Sequence, residues 1–164
     1  MTIIQDIHTA AWDFRRKYSQ WWATPDPDDC LRYAFTEAGE LMDAWLRSKR
    51  PDDARNNDRQ RDVAKELADI AIMLVSAMPE LSEVVEWMEA EGEAKILFPE
   101  FSIDDVCEMI SNCLNITCYE QVLCNALFCV VIYAEDNHID LLAQVIANLE
   151  AINRKHVPES QWTQ

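Results

Sequence analysis

Apolar residues recur along most of the chain at intervals of three and four positions, which is the spacing that places them on one face of an α-helix. The first of these stripes covers residues 2–18, the second 31–48 and the third 58–78. Polar stretches rich in proline and aspartate separate them, and Pro79 ends or kinks the third because proline cannot continue a helix. The pattern predicts three amphipathic helices in the first half of the chain.

The second half keeps the helical period, with longer apolar runs. The segments 80–93, 103–116, 119–137 and 139–156 are each predicted to be helical. The chain is therefore expected to form one all-α domain over residues 1–164, a bundle of five to seven helices. Its parts are a core at 30–78, an extra helical segment at 80–137 and a final helix at 139–156.

Aspartate and serine mark the start of two of these helices, because their side chains accept hydrogen bonds from the free N–H groups of the first helical turn. Asp28 or Asp29 is expected to cap the second helix, and Ser102 is expected to cap the helix that begins at Ile103. Two aspartates that follow Ile103 also favour a helix start there, since negative charge is stabilised at the N-terminal end of the helix dipole.

The composition excludes several classes of protein. Apolar residues make up 49% of the 164-residue chain, which is enough for a hydrophobic core and too many for a disordered segment. The chain has only two glycines, whereas the phosphate loops of dinucleotide-binding folds and P-loop proteins need two or three glycines close together. A β-rich fold is not expected either, because hairpin turns rely on glycine.

The formal charge of −16 is unevenly distributed. Residues 1–65 carry 12 acidic and 11 basic side chains, whereas residues 66–153 carry 17 acidic side chains and one basic one. A charge of this size argues against direct binding of nucleic acid or of an anionic membrane surface. Seven of the 14 basic residues lie between Arg47 and Lys65, so positive charge is concentrated in one short part of the chain.

Cysteine usage and the N-terminal sequence favour a cytoplasmic protein. None of the six cysteines belongs to a CxxC pair, so neither a zinc site nor a thioredoxin-type motif is expected. Small buried side chains in a reducing compartment fit their mostly apolar surroundings better than disulfides do. Residues 1–10 lack the features of a signal peptide, and no apolar run approaches the roughly 18 residues of a membrane span.

Two pairs of acidic residues, each three positions apart, occupy neighbouring predicted helices. Glu37 and Glu40 belong to the second helix, and Glu66 and Asp69 belong to the third. Residues three apart share a helix face, and a short connection makes these two helices antiparallel neighbours. The four carboxylates are therefore expected to converge. Gly39, inside the second helix, indicates close approach of another backbone or of a ligand.

Four converging carboxylates repel one another unless a cation lies between them, because like charges a few ångströms apart raise each other's pKa. Mg²⁺ prefers oxygen ligands and usually shares its coordination between one or two carboxylates and substrate phosphates. Four carboxylates therefore indicate more than one ion and a phosphate-bearing substrate. We expect Mg²⁺, with Mn²⁺ as a substitute. The alternative for each pair is an ordinary solvated helix face.

The same residues resemble a family signature. Two segments are similar to the EExxE and ExxD motifs of the all-α nucleoside triphosphate pyrophosphohydrolases. They are Thr36-Glu37-Ala38-Gly39-Glu40 and, after 25 intervening residues, Glu66-Leu67-Ala68-Asp69. This MazG-like superfamily includes dimeric dUTPases, dCTP pyrophosphatases and phosphoribosyl-ATP pyrophosphohydrolases. The resemblance covers about 50 residues, from Leu31 to Met78, and departs from the signature at Thr36, which replaces the first glutamate.

The resemblance implies an activity and a set of roles. The reaction is hydrolysis of a nucleoside or deoxynucleoside triphosphate to the monophosphate and pyrophosphate. Glu37, Glu40, Glu66 and Asp69 hold Mg²⁺, and Glu37 or Glu40 orients the attacking water as a general base. The resemblance further implies a homo-oligomer, either a dimer or a tetramer, with a nucleoside triphosphate as the small-molecule partner.

Six further residues are predicted to bind the substrate, because they resemble aromatic and polar positions of the family. They are Trp21, Trp45, Lys65, Asn153, Arg154 and Lys155. The tryptophans are expected to contact the base, and the others are expected to contact the phosphates. The alternative for the tryptophans is a place in the core or in an interface. The alternative for Arg154 and Lys155 is a favourable charge at a helix C-terminus.

Residues 80–125 are the main departure from the family. They are either a plain insertion or part of a degenerate duplication, in which 103–116 and 119–137 copy the first helix pair without its carboxylates. Two other functions stay open, a phosphoribosyl-ATP pyrophosphohydrolase-like enzyme and a catalytically inactive acidic helical binding protein. A ferritin-like di-iron protein is not expected, because it needs two ExxH motifs and only Glu135–His138 fits that pattern.

Overall fold

The computed structural model of the chain describes residues 3–20, 24–49, 56–81, 101–114 and 119–156. In the helices that begin at residues 56 and 119 it describes side chains from residues 62 and 122 onward. Nearly all of the helix predicted at 80–93 lies outside the described residues.

The described residues form six α-helices and no β-strand, so the predicted all-α class is confirmed. The helices are α1 (Ile3–Lys17), α2 (Pro27–Ser48), α3 (Asn56–Ser76), α4 (Ile103–Cys113), α5 (Tyr119–Asp136) and α6 (Leu141–His156). Their ends differ from the predicted ends by a few residues, because the apolar period defines the middle of a helix better than its caps.

The cap of α2 was predicted wrongly, whereas the cap of α4 was predicted correctly. The Asp26 carboxylate accepts hydrogen bonds from the backbone N–H groups of Asp28 at 2.9 Å and Asp29 at 3.3 Å, and Pro27 opens the helix. Proline fits the first helical position because that position needs no N–H donor, so the helix starts earlier than expected. Ser102 caps α4 and forms a reciprocal capping box with the aspartate three residues later.

α2 and α3 are packed side by side in opposite directions. Tyr33, near the start of α2, lines the same cavity as Met73, near the end of α3. At the other end of the pair, the Arg47 guanidinium lies 3.8 Å from the Asp62 carboxylate. The predicted antiparallel arrangement of the two acidic helices is therefore present in the structure.

α3 is the central helix, since it also packs against α1, α5 and α6. Leu67, Ile70 and Leu74 on α3 are fully buried, and burial of each such side chain contributes roughly 1.5–3 kcal/mol. Any rotation of α3 about its axis would expose these residues to water. The buried stripe therefore fixes the direction in which the acidic residues of α3 point.

α1 is joined to the end of α3 by polar contacts as well as by packing. The Trp12 indole N–H donates to the Val75 carbonyl oxygen at 3.1 Å, and the Arg15 guanidinium donates to the Ser76 hydroxyl at 2.8 Å. The carbonyl groups of a final helical turn have no partner within the helix. α1 supplies such partners here, which anchors it beside the C-terminal half of α3.

Buried residues from all six helices form one continuous hydrophobic cluster. α4 and α5 pack against each other, α4 also contacts α2, and α5 also contacts α3. The second pair of helices therefore completes the same core as the first pair, with no separate core of its own among the described residues.

Five cysteines lie within the described residues and none of them forms a disulfide there. Four are buried and Cys107 is half-buried, while Cys118 lies outside the described residues. In the part of the chain that the structure covers, no helix by itself has the length and apolar character of a membrane span. α5 and α6 meet that test only when taken together, and they are bent by 109° relative to each other.

Candidate metal centre

Three of the four predicted carboxylates meet between α2 and α3. Each of Glu37, Glu40 and Glu66 offers an oxygen atom, and these atoms all lie within 4.8 Å of one another. Glu37 and Glu40 share a face of α2 because they are three residues apart, and the antiparallel packing brings Glu66 of α3 opposite them. The spacing predicted this convergence, and the structure places these side chains together.

Glu66 is the buried member of the cluster. It is only 7% exposed, and its Oε2 atom is buried with no hydrogen-bond partner among the residues that the structure describes. Its other oxygen, Oε1, accepts from the Lys65 ammonium at 2.9 Å. A buried carboxylate oxygen without a partner is costly, because it has lost its water and gained nothing in return. When protonated, the Glu37 carboxyl donates a hydrogen bond to the Glu66 carboxylate. When both groups are ionised, a cation would be needed to compensate them.

Asp69, the fourth carboxylate, is held at the edge of the cluster from α6. Its Oδ1 atom accepts from the Asn148 side-chain amide at 2.8 Å, and the same amide group donates to the Lys65 carbonyl oxygen at 3.0 Å. The Gln144 amide in turn donates to Asn148 Oδ1 at 2.8 Å. Asn148 is therefore oriented on one side by Gln144 and orients Asp69 on the other.

Asn148 was not among the predicted site residues. It is 8% exposed and lies between Val145 and Leu149 in the apolar stripe of α6. A buried polar residue in an apolar stripe needs a hydrogen-bond partner, so its position in the stripe was the signal that could have identified it. The family resemblance points to Asn153, five residues later, and carries no information on Asn148.

Lys65 bridges the two acidic residues of α3. Its ammonium lies 2.9 Å from Glu66 Oε1 and 3.1 Å from Asp69 Oδ2. Burial acts to lower the pKa of Lys65, but the hydrogen bonds to Glu66 and Asp69 outweigh it and raise the pKa above its usual value. The lysine therefore stays positively charged and offsets part of the negative charge in the cluster.

The Glu37 carboxyl shows how unfavourable the remaining negative charge is. Burial, followed by repulsion from Asp69 and Glu40, raises its pKa to about 7. Both causes disfavour the ionised form, the first by removing water and the second by Coulomb repulsion. A cation placed among these groups would reverse the second effect, so the cluster has the electrostatics of a cation site.

The donor set fits a hard divalent cation. All four side chains offer carboxylate oxygens, which are the ligands that Mg²⁺ and Mn²⁺ prefer, and no histidine or cysteine belongs to the cluster among the described residues. The unpartnered Oε2 of Glu66 is a ligand atom that nothing else in the described structure satisfies. The residues present therefore fit such an ion by chemistry and by burial.

Of the two roles predicted for Gly39, close approach of another backbone is not found among the described residues. A Cβ atom built on Gly39 would meet no heavy atom within 4 Å, and the residue is exposed. Close approach of a ligand stays a prediction. Glycine in a helix permits a close approach and does not require one.

Trp45 lies beside the centre, at the wall of a polar cleft of about 590 Å³. The cleft is formed by the end of α2, the first half of α3 and the turn between α5 and α6. The Lys49 ammonium lies 5.1 Å from the centre of the Trp45 ring, a cation–π arrangement. Gln144 also lines this cleft. Trp21, the other predicted base contact, lies outside the described residues.

The predicted phosphate contacts at the end of α6 are not brought to the carboxylates. The Asn153 amide donates to the Tyr18 hydroxyl of α1 at 3.1 Å, and Arg154 pairs with Glu150 one turn earlier on α6. Asn148 faces the cluster, and at about 100° per residue Asn153 points to a different side of the helix. Lys155 is exposed. Among the predicted basic residues, Lys65 is the one that contacts the carboxylates.

A second cavity, of about 450 Å³, lies at the opposite end of the acidic cluster. Tyr33 precedes Glu37 by one helical turn and Met73 follows Asp69 by one turn, and both residues line this cavity. Its other walls are mostly apolar and come from α1, α6, the start of α2 and residues 24–26, with Phe14 and Leu149 among the apolar members and Asp26 and Asp29 among the polar ones. The carboxylates therefore lie between a polar cleft and an apolar cavity.

These features describe a cluster of three converging carboxylates, with Asp69 at its edge, between antiparallel helices of an all-α bundle; the cluster could hold a cation. Comparison of the chain with protein-family models, with curated proteins and with solved structures finds no match. The geometry of the site and the sequence resemblance are thus the basis for a functional assignment.

Proposed function

We propose that the protein is a Mg²⁺-dependent nucleoside triphosphate pyrophosphohydrolase, which converts its substrate to the monophosphate and pyrophosphate. The observation that carries the proposal is the buried, unpartnered Oε2 of Glu66 beside the carboxylates of Glu37 and Glu40. Solvated acidic faces do not bury an unsatisfied carboxylate oxygen, because the cost is too high. The resemblance of the two acidic motifs to the pyrophosphohydrolase signature supports the choice of reaction.

In this proposal Glu37, Glu40, Glu66 and Asp69 hold the metal. The bound ion neutralises the triphosphate and makes a coordinated water more acidic. Glu66 supplies the anchored ligand because it is the most buried of the four, and Asn148 keeps Asp69 in one orientation through its 2.8 Å hydrogen bond. Packing of the helices leaves the side chains of Glu66 and Asp69 only 10% and 18% exposed, which strengthens their electrostatic interactions.

Glu37 and Glu40 are the candidates for the proton-accepting role. In the metal-free protein the pKa of Glu37 is raised to about 7; a bound cation would lower it, which keeps the carboxylate ionised and able to accept a proton near neutral pH. Glu40 is exposed and therefore accessible to water. One of the two orients the attacking water, and the other remains a ligand. Lys65 offsets negative charge on the phosphates, since it is the basic side chain that contacts the cluster.

The nucleoside part of the substrate is assigned to one of the two flanking cavities. A triphosphate spanning the carboxylates extends toward Tyr33 and Met73 in one direction or toward Trp45 in the other. The apolar cavity of about 450 Å³ lies within the usual size range of small-molecule pockets, and the Tyr33 ring offers a stacking surface. We therefore assign the base to this cavity, with the Trp45 cleft as the alternative.

Release of pyrophosphate from a panel of canonical and modified nucleoside triphosphates, with Mg²⁺ present, tests the proposal. Phosphoribosyl-ATP belongs in the panel, because an enzyme specific for it would use the same chemistry. Glu66→Gln and Asp69→Asn are expected to lose at least about two orders of magnitude in kcat/KM. Glu108→Gln, which changes an exposed glutamate on α4, is the matched control and should retain full activity.

Two results would contradict the proposal. Full activity in Glu66→Gln would show that hydrolysis does not depend on the proposed metal centre. No hydrolysis of any nucleotide, together with no Mn²⁺ binding by calorimetry, would instead indicate the inactive acidic binding protein.

A further inference from the structure

A lysine ammonium already lies among the carboxylates that would hold the metal. Lys65 Nζ is 2.9 Å from Glu66 Oε1 and 3.1 Å from Asp69 Oδ2, so one cation bridges both acidic residues of α3. The two carboxylate side chains are only 10% and 18% exposed, whereas the lysine side chain is 51% exposed. A solvated cation is therefore paired with two largely buried anions.

The anions and the cation are anchored to different degrees. Asn148 holds the α3 side of this arrangement, because its amide donates both to Asp69 Oδ1 and to the Lys65 carbonyl oxygen. Within the described part of the chain, the ammonium of Lys65 is held by the two carboxylates. The flexible four-carbon stem of lysine allows the ammonium to move into solvent while the backbone and both carboxylates stay in place.

A divalent cation bound through Glu66 and Asp69 would compete with this ammonium. Two cations a few ångströms apart repel each other strongly where water is partly excluded. The lysine also occupies one oxygen of each carboxylate, and Asn148 occupies the second oxygen of Asp69. A metal bound to Glu66 Oε2 and to either oxygen of Asp69 would therefore lie next to the ammonium, and charge repulsion favours departure of the ammonium from at least one of its two partners.

We infer that Lys65 is a built-in counter-ion that exchanges with the divalent ion, and that the released ammonium then binds a substrate phosphate. This inference rests on the proposed metal centre. Competition by the ammonium lowers the affinity of the nucleotide-free protein for the metal. A phosphate that attracts the ammonium removes this competition, so metal and triphosphate bind with positive coupling, each improving the affinity for the other.

Mn²⁺ binding to the full chain without nucleotide, measured by calorimetry, tests the competition. Lys65→Gln is expected to bind Mn²⁺ about fivefold or more tightly than the unchanged protein. Lys17→Gln removes the same charge from the end of α1 and should leave the affinity unchanged, and Lys65→Arg keeps a cation and should not tighten it. Equal or weaker Mn²⁺ binding by Lys65→Gln overturns the inference.

Thermal unfolding in EDTA gives a second readout that needs no metal and no activity. Lys65→Gln leaves the carboxylates without their counter-ion, so its unfolding midpoint is expected to fall about 2–4 °C below that of Lys17→Gln. Equal midpoints for the two variants would show that Lys65 does not compensate the cluster.

The released ammonium is tested by a split between two kinetic constants. With nucleotide well below its KM, where the nucleotide-free protein must bind the metal, Lys65→Gln is expected to need less Mg²⁺ for half-maximal rate. The same variant should show a higher nucleotide KM, and Lys65→Arg should restore both constants toward their original values. A lower nucleotide KM in Lys65→Gln would contradict the inference that the released ammonium binds a substrate phosphate.

Failure of the inference and failure of the proposed function give different results. Tighter Mn²⁺ binding by Lys65→Gln in a protein that hydrolyses no nucleotide contradicts the proposed function alone. Hydrolysis that depends on Glu66, with Mn²⁺ affinity unaffected by Lys65→Gln, contradicts the inference alone.

Discussion

The side-chain amide of Asn148 donates a hydrogen bond to Asp69 Oδ1 at 2.8 Å, across 79 positions of the sequence. This contact links α6 to the acidic cluster between α2 and α3. Groups that orient a metal ligand typically matter for metal affinity almost as much as the ligand does. Asn148 is therefore expected to be a positioning residue, acting on the metal through Asp69.

Asn148→Ala is expected to weaken Mn²⁺ binding by about tenfold to a hundredfold, because Asp69 loses the donor that fixes its orientation. Calorimetry with Mn²⁺ measures the effect. Asn153→Ala is the matched control, since it removes an asparagine from the same helix that bonds to Tyr18. Equal affinities for the two variants would contradict the positioning role.

Metal removal is expected to destabilise the protein in proportion to the occupancy of the site. At a Mg²⁺ concentration about 100 times its dissociation constant, binding stabilises the fold by about 2.7 kcal/mol. For a domain of this size that corresponds to an unfolding midpoint roughly 5–10 °C higher than in EDTA. Glu66→Gln should abolish the difference and Glu108→Gln should keep it. A midpoint in Glu66→Gln that still responds to Mg²⁺ would argue against the centre.

The contribution of Glu37 to the stability of the metal-free protein is expected to fall as the pH rises from about 4.5 toward 7. It is measured as the difference from Glu37→Gln, because the lowered pKa of His8 acts in the opposite direction in both proteins. The pKa of Glu37 is raised from its ordinary value of 4.5 to about 7, through burial and through repulsion from Asp69, Glu40 and Glu66. Between these values the folded protein binds more protons at this carboxyl than the unfolded chain does, so ionisation of Glu37 at higher pH favours unfolding. Unfolding midpoints of both proteins in EDTA across this range should show the decline as that difference.

Glu37→Gln provides the comparison for that profile, since it cannot ionise at this position. As the pH rises, the midpoint of the unchanged protein should fall relative to that of Glu37→Gln. With Mg²⁺ present the trend should weaken, because metal binding favours the ionised carboxylate. Identical profiles for the two proteins in EDTA would show that Glu37 ionises at its ordinary pKa.

Tyr33→Ala is expected to raise the nucleotide KM by about fivefold or more, because loss of a base–aromatic stack costs about 1–3 kcal/mol. The measurement is steady-state kinetics on the best substrate of the panel. Trp45→Ala tests the other cavity in the same way and should change KM less. The reverse order would place the base in the polar cleft beside Lys49.

Much of the acidic cluster could be predicted from the sequence, because it depends on short-range geometry. Glu37 and Glu40 share a face of α2 by helical spacing alone, and Glu66 and Asp69 do the same on α3. The antiparallel packing of the two helices follows from their short connection. Their meeting was therefore predictable, although the burial of Glu66, at 7% exposure, was not.

The interpretation of single residues was less successful where it depended on more distant partners. The phosphate contacts predicted for Asn153 and Arg154 stay predictions; in the structure these residues contact Tyr18 and Glu150 and lie away from the carboxylates. Asp26 caps α2 in place of the two aspartates that follow it, because Pro27 shifts the helix start. In each case several similar residues were available locally, and packing selected one of them.

The sequence by itself determined the helical class, the acidic pairs and the likeness to a pyrophosphohydrolase signature, because period and spacing are properties of neighbouring residues. Only the tertiary structure decided that Glu66 Oε2 is buried without a partner, that Lys65 bridges Glu66 and Asp69, and that Asn148 joins them from α6. These relationships depend on how α6 packs against α3. The rotation of each helix is set by burial of its apolar face in the shared core. No local pattern specifies how the helices pack in that core.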